Sequence, residues 1–281
     1  MAEGRSSIVI SIFSTSSGIG KTITAINLAA GLAKEGYAVC LVDLDLQFGD
    51  IVNYLRLNPK HTIADAQMSM QINEKNFNVT DYLTDYYHED GKGNSCKFSV
   101  LAPPRTIYDA YVIDVEFVER MIRRLNYFDF VVLDLNAAFS ALNLAMLDMS
   151  TIINFIGVID FLPSVKNFKI GYDTLIRFEY EESKIRLVEN RADSQKLIDG
   201  RDVERLLGER FFHRLPNDFR SVSKSINEGC PLMFAAPSSP LTKSFMDLAG
   251  EYTVRHDDEE IAAEVPVQND GIFSRFFSMF S

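Results

Sequence analysis

Ile8-Val9-Ile10-Ser11-Ile12-Phe13-Ser14-Thr15-Ser16-Ser17-Gly18-Ile19-Gly20-Lys21-Thr22 begins as an almost unbroken apolar run and then turns into a polar loop closed by lysine and threonine. A run of six residues such as IVISIF is too short for a buried helix, and its lack of alternation fits a strand covered on both faces. From Thr22 to Lys34 the pattern changes to that of an amphipathic helix. Strand, glycine-bearing loop and helix in this order are what a phosphate-cradling loop needs. Backbone N–H groups from Ser17 to Ile23 converge on the anion, and the helix N-terminus adds its positive end. Gly18 and Gly20 let the backbone approach closely. Lys21 reaches the β and γ oxygens of a nucleotide, and the Thr22 hydroxyl is placed to ligate Mg. The strict pattern G-x-x-x-x-G-K-[ST] is broken at its first position, where Thr15 stands.

Outward from this loop, short β-branched runs alternate with helical patterns. Strands are expected at Ala38 to Val42, Phe98 to Leu101, Phe130 to Leu133, Ile152 to Ile159, Lys184 to Val188 and Phe211 to Arg214, and a helix at Val115 to Leu125. The rhythm predicts an α/β fold, a doubly wound, mainly parallel sheet flanked by helices, as in P-loop NTPases. Residues 60–96 break the rhythm. They are polar, rich in Asn, Asp and Tyr, and end in HEDGKGNSC, which reads as a variable excursion with a flexible loop and no chemistry. Residues 254–271 are acidic with Pro and Gly, the composition of a solvated linker. The expected division is a domain over 1–253, this linker, and a short amphipathic helix over 272–281.

The composition narrows the choices. The chain has 281 residues, 47% of them hydrophobic, and a net charge of −11 without any Lys/Arg run, which argues against direct nucleic-acid binding. Three widely spaced cysteines, Cys40, Cys96 and Cys230, read as buried thiols in a reducing compartment. The histidines His61, His88, His213 and His256 are scattered and read as surface or packing residues. No metal site is expected beyond Mg bound with nucleotide. The apolar run at the N-terminus is too short for a signal-peptide core, and no stretch reaches the ~20 apolar residues that span a bilayer. A cytoplasmic protein is expected.

The run SIFSTSSGIGKTITAINLAAGLAKEGYAVCLVDLDLQFGD resembles the MinD/ParA class of deviant Walker A ATPases, whose loop reads x-K-G-G-x-G-K-[ST]. Gly18, Gly20, Lys21 and Thr22 match. Ser16 occupies the place of the family's signature lysine, which reaches the nucleotide of a partner subunit, and Ser17 replaces the first of the paired glycines. The resemblance implies ATP and Mg as ligands and an ATP-dependent homodimer. The missing cation makes slow hydrolysis the expectation. It also assigns Lys21 and Asp45 catalytic roles, Asp45 orienting the attacking water, and gives Asp43 and Asp134 to the Mg shell beside Thr22. Asn136 stands where the family has proline or serine. Asn190 and Arg191, in VENR, resemble a strand-ending pair in which the Asn reads the adenine edge, and Pro216 belongs to a loop that packs on the base. The phrase VDLDLQFGD and the APPR at Ala102 to Arg105 look most like the TadZ/CpaE pilus-localisation branch.

The final segment IFSRFFSMFS carries Phe273, Phe276, Phe277 and Phe280 on one helical stripe, with Ile272 at its start. It resembles the membrane-targeting helix that ends MinD proteins. Residues 256–281 hold six acids against Arg275, a local charge of −5, so one copy is expected to bind anionic lipid weakly. Two copies on an ATP-held dimer would bind through avidity. The expected protein is therefore a peripheral, nucleotide-switched ATPase at the inner face of the membrane, with partners in pilus, flagellar or division machinery. A flagellar-number or division-site regulator, a non-hydrolysing nucleotide-bound scaffold and a metabolic P-loop enzyme are the competing readings.

Overall fold

The computed structural model describes residues 7–91, 93–193 and 198–258. Along the chain lie β1 (Ile8–Phe13), α1 (Lys21–Lys34), β2 (Val39–Asp43), α2 (Ile51–Tyr54), α3 (Ile63–Ile72), β3 (Leu83–Glu89), β4 (Ser95–Leu101), α4 (Ile107–Tyr111) and α5 (Val115–Arg123). There follow β5 (Phe130–Asp134), α6 (Ala141–Met149), β6 (Ile152–Gly157), α7 (Leu162–Arg177), β7 (Ile185–Asn190), α8 (Gly200–Leu207), β8 (His213–Leu215), α9 (Phe219–Glu228), α10 (Leu232–Ala235) and α11 (Pro240–Asp258). The eight strands form one sheet in the order β3-β4-β2-β5-β1-β6-β7-β8. Every neighbouring pair is parallel except β3 with β4. The doubly wound parallel architecture expected from the sequence is the one observed.

Burial on both faces explains the apolar strands. In β1, Val9 and Phe13 enter one core while Ile10 and Ile12 enter the other. Val131 and Leu133 of β5 split from Phe130 and Val132 in the same way. One core is covered by α3, α5, α6, α7 and α8, and the other by α1, α2, α10 and α11. Helix α1 packs closely on α11 because Gly31 has no side chain; a Cβ there would stand 2.8 Å from the Ala249 Cβ. The order reverses around β1: the chain first builds outward to β2 and β4, inserts β5, then continues to β6, β7 and β8. Such a switch point opens a crevice at the carboxyl ends of the central strands.

Residues 60–96 differ from the expected excursion. They contain α3, opened by a capping box between Thr62 and Asp65, and β3, which pairs through seven residues with β4. Strand β3 lies at the sheet edge with Tyr86 as its one buried residue, so one face stays in water and its sequence reads as polar. The tip of the hairpin is held by the Asn94 amide nitrogen, which donates to Asp90 Oδ2 at 2.8 Å. All three cysteines are buried free thiols. His61 stacks edge-on to Tyr82, His88 packs on Phe234, and His213 bonds Ser244. No helix among the described residues is long and apolar enough to cross a membrane. The expected amphipathic helix, with Ile272, Phe273, Phe276, Phe277 and Phe280, lies outside the described residues.

Candidate nucleotide site

The loop after β1 is shaped by two left-handed glycines, Gly18 at φ 69° and Gly20 at φ 95°. Gly20 also serves as the N-cap of α1, and no side chain bonds the first turn of that helix. Its N–H groups are left for an anion in the crevice. The Lys21 ammonium folds back inside the loop, 3.4 Å from the Ser16 carbonyl oxygen. Burial lowers its pKa, and the carboxylates of Asp134 and Asp45 draw it back up. Thr15, the departure from the strict pattern, donates its hydroxyl to the Asn167 carbonyl at 3.0 Å. Its methyl occupies the space beside Gly171, where a Cβ would come within 2.5 Å of it. Threonine at this position thus seats α7 against the loop.

Two carboxylates stand opposite. Asp43 and Asp134 end β2 and β5, are register partners, and are buried. Asp43 accepts the backbone N–H of Asp45 through Oδ1 and that of Ile51 through Oδ2, each at 3.2 Å. The backbone of Gly49 comes so near that a Cβ would stand 2.5 Å from both carboxylate oxygens. Burial raises the Asp43 pKa well above the usual carboxylate range, and Asp134 adds to the rise. Asp134 differs: among the described residues neither of its oxygens has a hydrogen-bond partner of good geometry. Burial pushes its pKa up to about 7, against the pull of the nearby Thr22 hydroxyl and the Lys21 ammonium.

A hard divalent cation fits this arrangement, because buried anionic oxygens without donors beside a hydroxyl are what Mg coordinates. Among the described residues no group of three or more His, Cys, Asp or Glu side chains is placed to hold a metal ion. Most of an octahedral shell would therefore come from phosphate oxygens and water, the usual state of nucleotide-bound Mg.

Asp45 lies past the end of β2 and accepts the Phe48 N–H at 3.3 Å. In the loop after β5, the Asn143 amide nitrogen donates to the backbone and side-chain oxygens of Asn136 at 3.1 and 2.9 Å, which ties that loop to α6. From the end of β7, the Asn190 amide nitrogen donates to the Ile19 carbonyl at 2.6 Å, and the Arg191 guanidinium donates to the Gly18 carbonyl at 3.1 Å. Pro216 follows β8 one strand farther out, where the Ala192 N–H bonds the Leu215 carbonyl at 2.9 Å. The expected residues Ser17 to Ile23, Asp43, Asp45, Asp134, Asn190 and Arg191 thus meet at the carboxyl ends of β1, β2, β5 and β7. Sequence reading missed Gly49, Asn143 and the Thr15–Gly171 contact. It also missed an exposed apolar rim of Phe48, Phe161, Leu162 and Phe219. A lone glycine inside LDLQFGD was the one local signal among these.

A cradling loop on the central strand, a helix N-terminus left open and two buried strand-end carboxylates define a P-loop nucleotide-binding protein. Residues 10–232 match the CobQ/CobB/MinD/ParA nucleotide binding domain, and the chain belongs to that family. It is 30% identical over 128 residues to the septum site-determining protein MinD of Helicobacter pylori, covering 45% of this chain and 44% of that protein. It is 42% identical over 58 residues to the antiactivator FleN of Pseudomonas aeruginosa, covering 21% of each. The chain therefore spans less than half the length of the curated relatives it matches. MinD of Pyrococcus horikoshii, solved with Mg-ADP, superposes with a TM-score of 0.74 at 18% identity, covering 91% of this chain and 100% of that one. This last likeness establishes the fold.

Proposed function

We propose that the chain binds Mg·ATP between the loop and the strand-end carboxylates, hydrolyses it slowly, and uses the nucleotide state to position a membrane-associated assembly, a pilus machine. The observation that carries the reading is the pairing of an open phosphate cradle with Asp134, a buried carboxylate that, among the described residues, receives no backbone donor and has only the Thr22 hydroxyl beside it. N–H groups from Ser17 to Ile23 hold the phosphates, and Lys21 balances their charge. Thr22, Asp134 and Asp43 would hold Mg, which would supply positive charge against the phosphates. Asp45 orients the attacking water from the rim. Asn190, Arg191 and Pro216 line the site on the side of β7 and β8. No cation stands at Ser16, so the charge developing on the transferred phosphoryl group and the departing ADP would be met by Lys21 without the second ammonium that speeds such reactions.

Dimerisation through ATP is supported by the rim. Phe48 and Phe161 on loops, and Leu162 and Phe219 at the starts of α7 and α9, are exposed in the connections that follow β2, β6 and β8, on the crevice side of the sheet. A second copy docked mouth to mouth would cover these side chains. The amphipathic segment at 272–281, beyond the domain and its acidic linker, serves as the contact with the inner face of the membrane. The septum site-determining role of one relative supports a positioning function and favours division-site placement as the second reading.

Titration calorimetry with Mg·ATP tests the site. The wild type should bind and Lys21→Ala should lose at least ~10-fold in affinity, the scale of one charged contact; no uptake by the wild type ends the reading. Turnover should be slow and rise with protein concentration. Nucleotide bound without any turnover would leave a scaffold. Co-sedimentation with anionic vesicles, with and without residues 272–281 in ATP and ADP, tests the membrane contact.

A further inference from the structure

The end of β7 holds the phosphate loop from behind. Asn190 donates one amide hydrogen to the Ile19 carbonyl at 2.6 Å and accepts the Arg191 N–H through its amide oxygen at 2.9 Å. Arg191, in the left-handed region at φ 57°, turns its guanidinium onto the Gly18 carbonyl at 3.1 Å. Two consecutive carbonyls of the loop are therefore gripped by two consecutive residues of a strand 171 and 173 positions away in sequence. Gly20 is part of the same device, since any Cβ there would stand 2.6 Å from the Asn190 amide nitrogen.

A trans peptide is planar, and its C=O and N–H point in opposite directions. Pulling the Gly18 and Ile19 carbonyls toward β7 therefore turns the N–H groups of Ile19 and Gly20 to the other side, into the cradle. These two N–H groups do not belong to α1 and have no helix to orient them. A loop with two glycines would otherwise sample other peptide orientations, and ordering it would oppose anion binding.

We infer that Asn190 and Arg191 are positioning residues that set the polarity of the phosphate loop, so that Asn190 acts on the phosphate through the loop backbone. The inference rests on the nucleotide reading above and adds a task to the strand end.

The test is to measure affinity for Mg·ATP, Mg·GTP and inorganic tripolyphosphate with Mg, in wild type, Asn190→Ala and Asn190→Asp. A polarity clamp predicts that Asn190→Ala weakens all three, base-free tripolyphosphate included, by a factor of about ten, the scale of one net hydrogen bond. Asn190→Asp, which keeps the shape but loses the donor and sets a carboxylate against the carbonyl, should weaken all three further. Amide exchange of Ile19 and Gly20 in the ligand-free protein should speed up in both variants, while the thermal midpoint reports whether they fold. If Asn190→Ala leaves tripolyphosphate binding intact and erases only the preference between ATP and GTP, the residue reads the base and the clamp is overturned. Unchanged affinity for all three overturns it too. Failure of the wild type to bind any of the probes removes the nucleotide reading, and the clamp with it.

Discussion

Strands β2 and β5 end in the same residue type at the same height of the sheet, yet the loops that follow them treat it in opposite ways. Asp43 is enclosed by its own loop, which returns the N–H groups of Asp45 and Ile51 to it and brings Gly49 against its oxygens. Asp134, its register partner, is equally buried and receives no such bonds among the described residues. Burying an ionisable group without donors is costly. Asp43 therefore works for the fold of the β2 loop as well as for a ligand, whereas Asp134 contributes strain to the ligand-free protein and is relieved by what binds there. Burial raises both carboxyl groups, and only at Asp43 do backbone donors offset part of that cost.

Substitution should separate the two. Asp134→Asn removes the buried charge, and since burial shifts its pKa from 3.8 to about 7, the ligand-free protein at pH 8 should gain up to about 4 kcal/mol in chemical unfolding. The same variant should lose the Mg dependence of nucleotide binding. Gly49→Ala drives a Cβ to within 2.5 Å of the Asp43 oxygens and should cost about 1–3 kcal/mol by the same measurement. Asp43→Asn keeps one acceptor, sets an NH2 group against a backbone donor, and should cost about 2 kcal/mol with faster amide exchange at Ile51. If Asp43→Asn stabilises the protein as Asp134→Asn does, the contrast between the two loops is wrong.

The smallest effect is a pH dependence. The folded-state pKa of Asp134 lies above its unfolded value of 3.8, so the native state holds the extra proton between that value and about 7. Its contribution therefore favours folding at low pH and is lost as pH rises toward 7. Ligand-free protein should gain stability by about 1 kcal/mol on going from pH 8 to pH 6 in Mg-free buffer. Asp134→Asn should flatten that slope.

How much of this was legible follows from the range of each interaction. β1 and the loop after it were readable because a buried strand, two glycines and a helix start are written within fifteen contiguous residues. Strands β2, β5 and β6 were readable because burial on both faces makes their sequences continuously apolar. β3 was not, since a half-solvated edge strand with Asp85, Tyr87 and Glu89 turned outward resembles a loop. In the site, Asp43, Asp45 and Asp134 could be named through resemblance to a known family. Their unequal surroundings could not, because the donors to Asp43 come from how the loop folds back. The grip of Asn190 and Arg191 on Ile19 and Gly18 is a tertiary fact with no local signature.

The two outer strands decide where this molecule can meet another of its kind. On one flank the sheet stops at the reversed β3, with charged side chains on its outward face, and on the other at β8, only three residues long. Neither margin presents a lengthy, neutral ladder of unsatisfied peptide groups, so accretion of a foreign or sister strand is discouraged at both. On the proposed reading, pairing of two copies would then fall to the mouth at the carboxyl ends of the strands and not to sheet growth, which would make assembly conditional on what the mouth contains.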